Sequence, residues 1–275
     1  MAQPATIVPR FRGDGYGPGD TVEGVLEALE PVERLRSMNA YLRYLDRSPD
    51  FAGAVTHDAV EPLHEGPLEQ GQEIPFELRL PDDALPSWDH PSTEGMGTLS
   101  WSLVLETDVA QGLDKTITHA VPVNPDAAGW SGPELPAEPR TKSSGKWDVE
   151  IALDPFALRR GEAFTLDVAI GDPDGSRDTL EIDLFCQVGY DVEVTVNRSG
   201  GDTDYVRQTN WVDLVKEPAE IDPGAPSQRL EFRIPEDAPF SYGGKALGMV
   251  WMVVAREQRR LRSDPRRIAY LEVRP

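Results

Sequence analysis

Residues 75–88 read Pro-Phe-Glu-Leu-Arg-Leu-Pro-Asp-Asp-Ala-Leu-Pro-Ser-Trp, and residues 231–242 read Glu-Phe-Arg-Ile-Pro-Glu-Asp-Ala-Pro-Phe-Ser-Tyr. Each is followed by a glycine-led apolar run, Gly-Thr-Leu-Ser-Trp-Ser-Leu-Val at 97–104 and Gly-Met-Val-Trp-Met-Val-Val at 248–254. The correspondence continues beyond the tryptophans. Asp114 lies thirteen residues after Trp101 and Asp264 thirteen after Trp251, and the alternating pairs Val121/Val123 and Leu271/Val273 follow at matching offsets. A segment that recurs with its landmarks in step is one supersecondary unit used twice, here at the end of each of two similar domains.

Short alternating runs between abundant Gly and Pro outnumber any helical pattern, which predicts an all-β chain. A strand is expected at 5–12, a glycine-rich turn at 13–20, and a strand from Thr21. Residues 31–45 fit both a helical stripe and an alternating strand, and strand is chosen because 180–188 alternates without ambiguity in the second half. Residues 46–72 are expected to form a long hairpin with irregular parts. The Pro-, Gly- and Ser-rich stretch at 126–146 reads as a linker between a domain at 1–125 and another at 147–275. In the second domain Gly161-Glu162 takes the place of Gly19-Asp20.

A net charge of -21 argues against general nucleic-acid binding, since phosphates meet repulsion over most of the surface. The balance reverses at the end: residues 256–275 carry seven bases and three acids, a basic patch on an acidic body. The one cysteine, Cys186, sits in an alternating apolar run and reads as a small core residue, which fits a reducing compartment. With no basic-then-apolar leader in the first residues, the expected location is the cytoplasm.

The reading Tyr16-x-Pro-Gly-Asp20-x-Val-x-Gly-x-Leu26 resembles the second-strand signature of the arrestin clan. Together with 74–81, 85–88, 101–114 and 121–125, it makes the first domain similar to the bacterial and archaeal sporulation-control (SpoOM-like) branch. The resemblance implies two tandem antiparallel β-sandwiches, arrestin-like and joined by a hinge, in a scaffold or adaptor without catalytic residues to carry over. The chain lacks the Pro-Pro-x-Tyr motif of ubiquitin-ligase recruitment and the paired N-terminal lysines that sense phosphate, so phosphoreceptor binding is not implied.

No nucleophile–base–acid set, cofactor motif or metal motif is visible, and the expectation is a protein that is not an enzyme and holds no cofactor. His57 and His64, among Asp58, Glu61 and Glu65, offer metal-ligand chemistry at a spacing that fits no known pattern, leaving a metal-dependent hydrolase as a remote alternative to a solvated loop. His90 and His119 have no companions. The Asp172–Asp178 stretch starts like a calcium loop but has arginine where glycine is needed, and Arg12-Gly13-Asp14 and Asn197-Arg198-Ser199 read as turns. Trp101 and Trp251 are expected in the core, whereas Trp88 and Tyr242, each just past a turn, are candidate contact residues. Arg256, Arg259, Arg260, Arg262, Arg266 and Arg267 bracket a turn near residues 263–265. They read either as a solvated hairpin that pairs with the acidic first domain or as an anion site for an acidic protein partner or an anionic lipid surface at the inner membrane.

Overall fold

A computed structural model describes residues 7–89, 96–110, 115–124, 141–144, 149–171, 180–197, 203–219, 221–222, 224–257 and 265–275. The contacts divide the chain into two units, one of residues 1–47 with 52–133, the other of residues 48–51 with 134–275. All described regular structure is β, and none of it is a helix long and apolar enough to cross a membrane.

The first unit holds β1 (Ile7–Phe11), β2 (Thr21–Ala28), β3 (Leu35–Arg47), β4 (Ala52–Glu65), β5 (Glu73–Arg79), β6 (Thr98–Val109) and β7 (Lys115–Val121). They form a three-stranded sheet ordered β1-β2-β5 and a four-stranded sheet ordered β4-β3-β6-β7, all antiparallel. The alternation seen in sequence is a burial pattern: Val22, Leu26 and Ala28 of β2 and Ile74, Phe76 and Leu78 of β5 point inward. Residues 35–47 are a strand, as chosen, with Met38, Ala40 and Leu42 fully buried. The glycine of the Tyr16–Leu26 signature has a packing reason. A Cβ on Gly24 would lie 2.3 Å from the Arg10 carbonyl of the neighbouring β1.

The second unit contains β8 (Thr141–Ser144), β9 (Val149–Asp154), β10 (Ala157–Arg159), β11 (Ala163–Ile170), β12 (Leu180–Asn197), β13 (Thr203–Pro218), β14 (Ser227–Arg233), β15 (Tyr242–Gly243), β16 (Leu247–Glu257) and β17 (Arg266–Arg274). A three-stranded sheet runs β14-β11-β9, and a seven-stranded sheet runs β10-β17-β16-β12-β13, with β15 on β16 and β8 on β17. One core joins the two sheets through Phe164, Leu166 and Val168 on one side and Leu184, Trp251 and Val253 on the other. Two details depart from the sequence reading. Residues 141–144, inside the stretch read as a linker, form a strand of the large sheet, and β10 pairs with β17 in parallel. Residues 125–140 and 172–179 lie outside the described residues.

The repeat reappears as duplicated hydrogen bonding. Trp101 Nε1 donates to the Leu85 carbonyl at 2.7 Å, and Trp251 Nε1 donates to the Pro239 carbonyl at 2.8 Å. Ala84 N bonds Pro81 O as Ala238 N bonds Pro235 O; Leu80 N bonds Asp20 O as Ile234 N bonds Glu162 O; Ser87 N bonds Val123 O as Ser241 N bonds Val273 O. Gly19 and Gly161 both sit in the left-handed region, at φ 75° and 73°. Tyr16 bridges Val123 in parallel, and Leu158 faces Val273 in the parallel β10–β17 pair. Each tryptophan therefore carries the loop that precedes it onto its own sheet. Trp101 is 2% exposed and Trp251 0%, so neither bond competes with water.

Substituting either tryptophan by phenylalanine leaves the loop carbonyl without its donor, buried at Pro239 and half-buried at Leu85, at a cost of about 1–3 kcal/mol, and the smaller ring adds a cavity term. Urea unfolding of Trp101→Phe and Trp251→Phe checks this. Losses of similar size are expected, and a neutral variant contradicts the shared role.

Candidate functional site

The arginine hairpin is built on β16 and β17, whose register sets Arg256 directly opposite Arg266 and Ala255 opposite Arg267. Facing like charges need compensation, and β12 supplies it. Glu181 accepts from Arg256 at 2.7 Å, and the carboxylate of Asp183, only 3% exposed, lies 3.6 Å from the same guanidinium. Arg256 is thus neutralised within its own sheet. Arg266 is exposed and has no carboxylate partner among the described residues, while Arg267 is half-buried. Arg259, Arg260 and Arg262 fall in 258–264, outside the described residues.

The two aromatic candidates part company. Trp88 is buried, not a contact residue: its backbone exchanges two hydrogen bonds with Leu99, at 2.8 and 2.9 Å, and this pairing folds its ring inward to 6% exposure. Tyr242, paired with Met249 in the same way, stays half-buried and meets Phe240 edge-on at 6.4 Å.

The metal reading finds no support among the described residues, which hold no group of three or more ligand-type side chains. The stretch read as an acidic loop is strand β4. His57 lies against the Trp101 ring at 5.0 Å, and Asp58 accepts from the Arg79 backbone at 2.6 Å. His90 and the calcium-like stretch at 172–178 lie outside the described residues. Arg12 donates to Glu23 at 2.9 Å and Gly13 N to the Tyr16 hydroxyl at 3.2 Å, so residues 12–14 serve the turn that carries the signature tyrosine. Cys186 is fully buried, and burial pushes its thiol far above the ordinary cysteine range, which removes it as a nucleophile.

The sequence reading missed an exposed surface of the second unit, the β12–β13 hairpin. Beyond Tyr190, the last β12 residue paired with β16, the hairpin continues as a two-stranded ribbon to Asn197 and Thr203. Tyr205 (68%), Val206 (45%) and Trp211 (52%) are its exposed apolar residues. Trp211 covers Gly189, its cross-strand partner, where a Cβ would meet the indole at 2.8 Å. Arg207 Nε donates to Asp191 at 2.6 Å, the Thr209 hydroxyl donates to the same carboxylate at 2.6 Å, and Arg207 Nη2 reaches the Lys245 carbonyl. The guanidinium also stacks over Phe51, a member of the same unit. Burial works to raise the Asp191 pKa, but the Thr209 and Arg207 bonds outweigh it and hold the carboxyl below its usual range.

No protein-family model matches this chain, and no curated protein matches it in sequence. Among solved structures, the crystal structure of squid arrestin matches with a TM-score of 0.50 at 10% identity, over 98% of this chain and 95% of that one. Likeness at this identity is one of fold. The chain has an all-β, arrestin-like fold.

Burial lowers the His57 pKa, with Asp83 opposing, and lowers the His119 pKa, with the hydrogen bond to the Ile7 carbonyl opposing. Each imidazole therefore binds its proton more weakly folded than unfolded. Their contribution is complete above the ordinary value of 6.5 and shrinks as pH falls through it. Urea melts should show stability falling between about pH 7.5 and pH 5.5, with a shallower slope in His119→Gln; an unchanged slope in that variant contradicts the assignment.

Proposed function

We propose that this protein is a non-enzymatic cytoplasmic adaptor that binds an acidic protein partner through its sandwich edges and arginine hairpin. The observation that carries the reading is the asymmetry within the hairpin: Arg256 is held by Glu181 and Asp183, while Arg266, directly opposite, is exposed and unpaired among the described residues. A guanidinium in that position offers a fork of donors that matches a carboxylate or phosphate. The arrestin-like fold supports an adaptor role, and sheet edges offer unpaired backbone groups that a partner segment can extend. We further propose membership of the sporulation-control branch, on the strength of the Tyr16–Leu26 signature and the tryptophan repeat.

Crosslinking in native cells, followed by identification of everything attached, tests this reading. A reproducible protein partner is expected, and its capture should fall at least tenfold when Arg259, Arg260, Arg266 and Arg267 are changed to glutamate, about 1.4 kcal/mol or more of binding energy. Unchanged capture removes the hairpin from the account. Binding to anionic vesicles at low salt, lost at high salt and without any protein partner, would replace the adaptor by a peripheral membrane protein.

A further inference from the structure

We propose that the protein forms a homodimer by antiparallel edge-to-edge pairing of β13, with the two copies related about Asn210.

β13 is the last strand of the seven-stranded sheet, and among the described residues nothing pairs with its outer side. Exposed edges are normally blunted by proline, lysine or covering segments. Residues 203–215 contain neither proline nor lysine, and their side chains include the exposed Tyr205, Val206 and Trp211. Among the described residues the ribbon beyond Tyr190 has two strands, and residues 48–51 bond its β12 side, at Asp191 O and Glu193 N, while no segment pairs with its β13 side.

The register follows from side-chain faces. Arg207, Thr209, Trp211 and Asp213 pair with Glu193, Asp191, Gly189 and Gln187, so all four share one face; Gln208, Asn210 and Val212 share the other. Antiparallel pairing with a second copy keeps faces together, so its two-fold must pass through a residue. Only a centre at Asn210 sets Arg207 opposite Asp213 of the second copy, twice. It also sets Thr209 opposite Trp211 and Gln208 opposite Val212. The register shift between Cys186 and Gln187 leaves Leu214 as the extra residue on β13. Beyond that bulge Val206 meets Val215, and Tyr205 meets Lys216, an ammonium over an aromatic ring. Arg207 engages Asp191 and Lys245 through Nε and Nη2, leaving Nη1 for the second copy. Asp213 has Gln187 as its neighbour in its own chain. A centre at Thr209 or Trp211 leaves both charges without an opposite.

This pairing rests on β13 and not on the arginine hairpin, so its failure and that of the adaptor reading are separable. Sedimentation of the full chain should show a monomer–dimer equilibrium that weakens with salt. Asp213→Arg and Arg207→Asp should each sediment as monomers, since each makes the facing pair like-charged, and an equimolar mixture of the two should recover a heterodimer. Because Arg207→Asp also disturbs Asp191, a second test leaves the charges alone. Asn210→Cys stands opposite itself across the two-fold, at a Cα separation of about 4.5–5.5 Å, inside the range of about 4.4–6.8 Å that a disulfide spans. Mild oxidation should crosslink Asn210→Cys at least tenfold faster than Gln208→Cys or Val212→Cys, which face each other rather than themselves. A chain that stays monomeric at every concentration, or equal crosslinking of the three variants, overturns the proposal.

Discussion

Two buried indole N–H groups, of Trp101 and Trp251, donating to loop carbonyls sixteen and twelve residues upstream, are the constraint on which both sandwiches rest. Each tryptophan stands on an inner strand of its larger sheet, and each acceptor belongs to the loop that follows an outer strand of the smaller one. The bond therefore ties together the two layers that the strands alone would leave to side-chain packing. An indole buried without a partner would lose the hydrogen bonds it makes in water, so the loop has to arrive with its carbonyl in place. The Pro-Asp-Asp-Ala and Pro-Glu-Asp-Ala turns do this, each closed by an alanine N–H on the proline carbonyl.

The residues that make the repeat visible in sequence are those whose position is fixed by this geometry. Gly19 and Gly161 adopt the same left-handed conformation, and Trp101 and Trp251 face Val121 and Leu271 across the next strand. The all-β class and the strand choice at 35–47 were legible for the same reason, since half-buried strands advertise themselves by alternation. The β12–β13 hairpin was not legible beyond 188. Residues 205–209 and 211 are exposed, so both faces meet solvent and the run of Arg, Gln, Thr and Asn carries no period. Gly189 was the available signal, because a glycine inside an alternating run marks the close approach of a neighbour, here the ring of Trp211.

The candidate site was legible only in part. Charge segregation points to the hairpin, but sequence does not distinguish Arg256, neutralised by two carboxylates of β12, from Arg266, which has no carboxylate partner among the described residues. Nor could it separate Trp88 from Tyr242, which occupy corresponding places and pair alike; their difference in burial is decided by what the surrounding strands leave open. The large sheet of the second unit thus presents the exposed Arg266 guanidinium on β17 and, among the described residues, an outer side of β13 that pairs with no strand.

Hydrogen exchange at the tryptophan indoles, read by nitrogen–proton correlation spectra and assigned by substitution, tests the central claim most directly. Trp101 and Trp251 should exchange slowly and together, at the rate of global unfolding, while Trp211 exchanges as fast as a free indole. Fast exchange at either Trp101 or Trp251 would show that the carbonyl bond is not the tie between the layers, and the account of the repeat would fail with it.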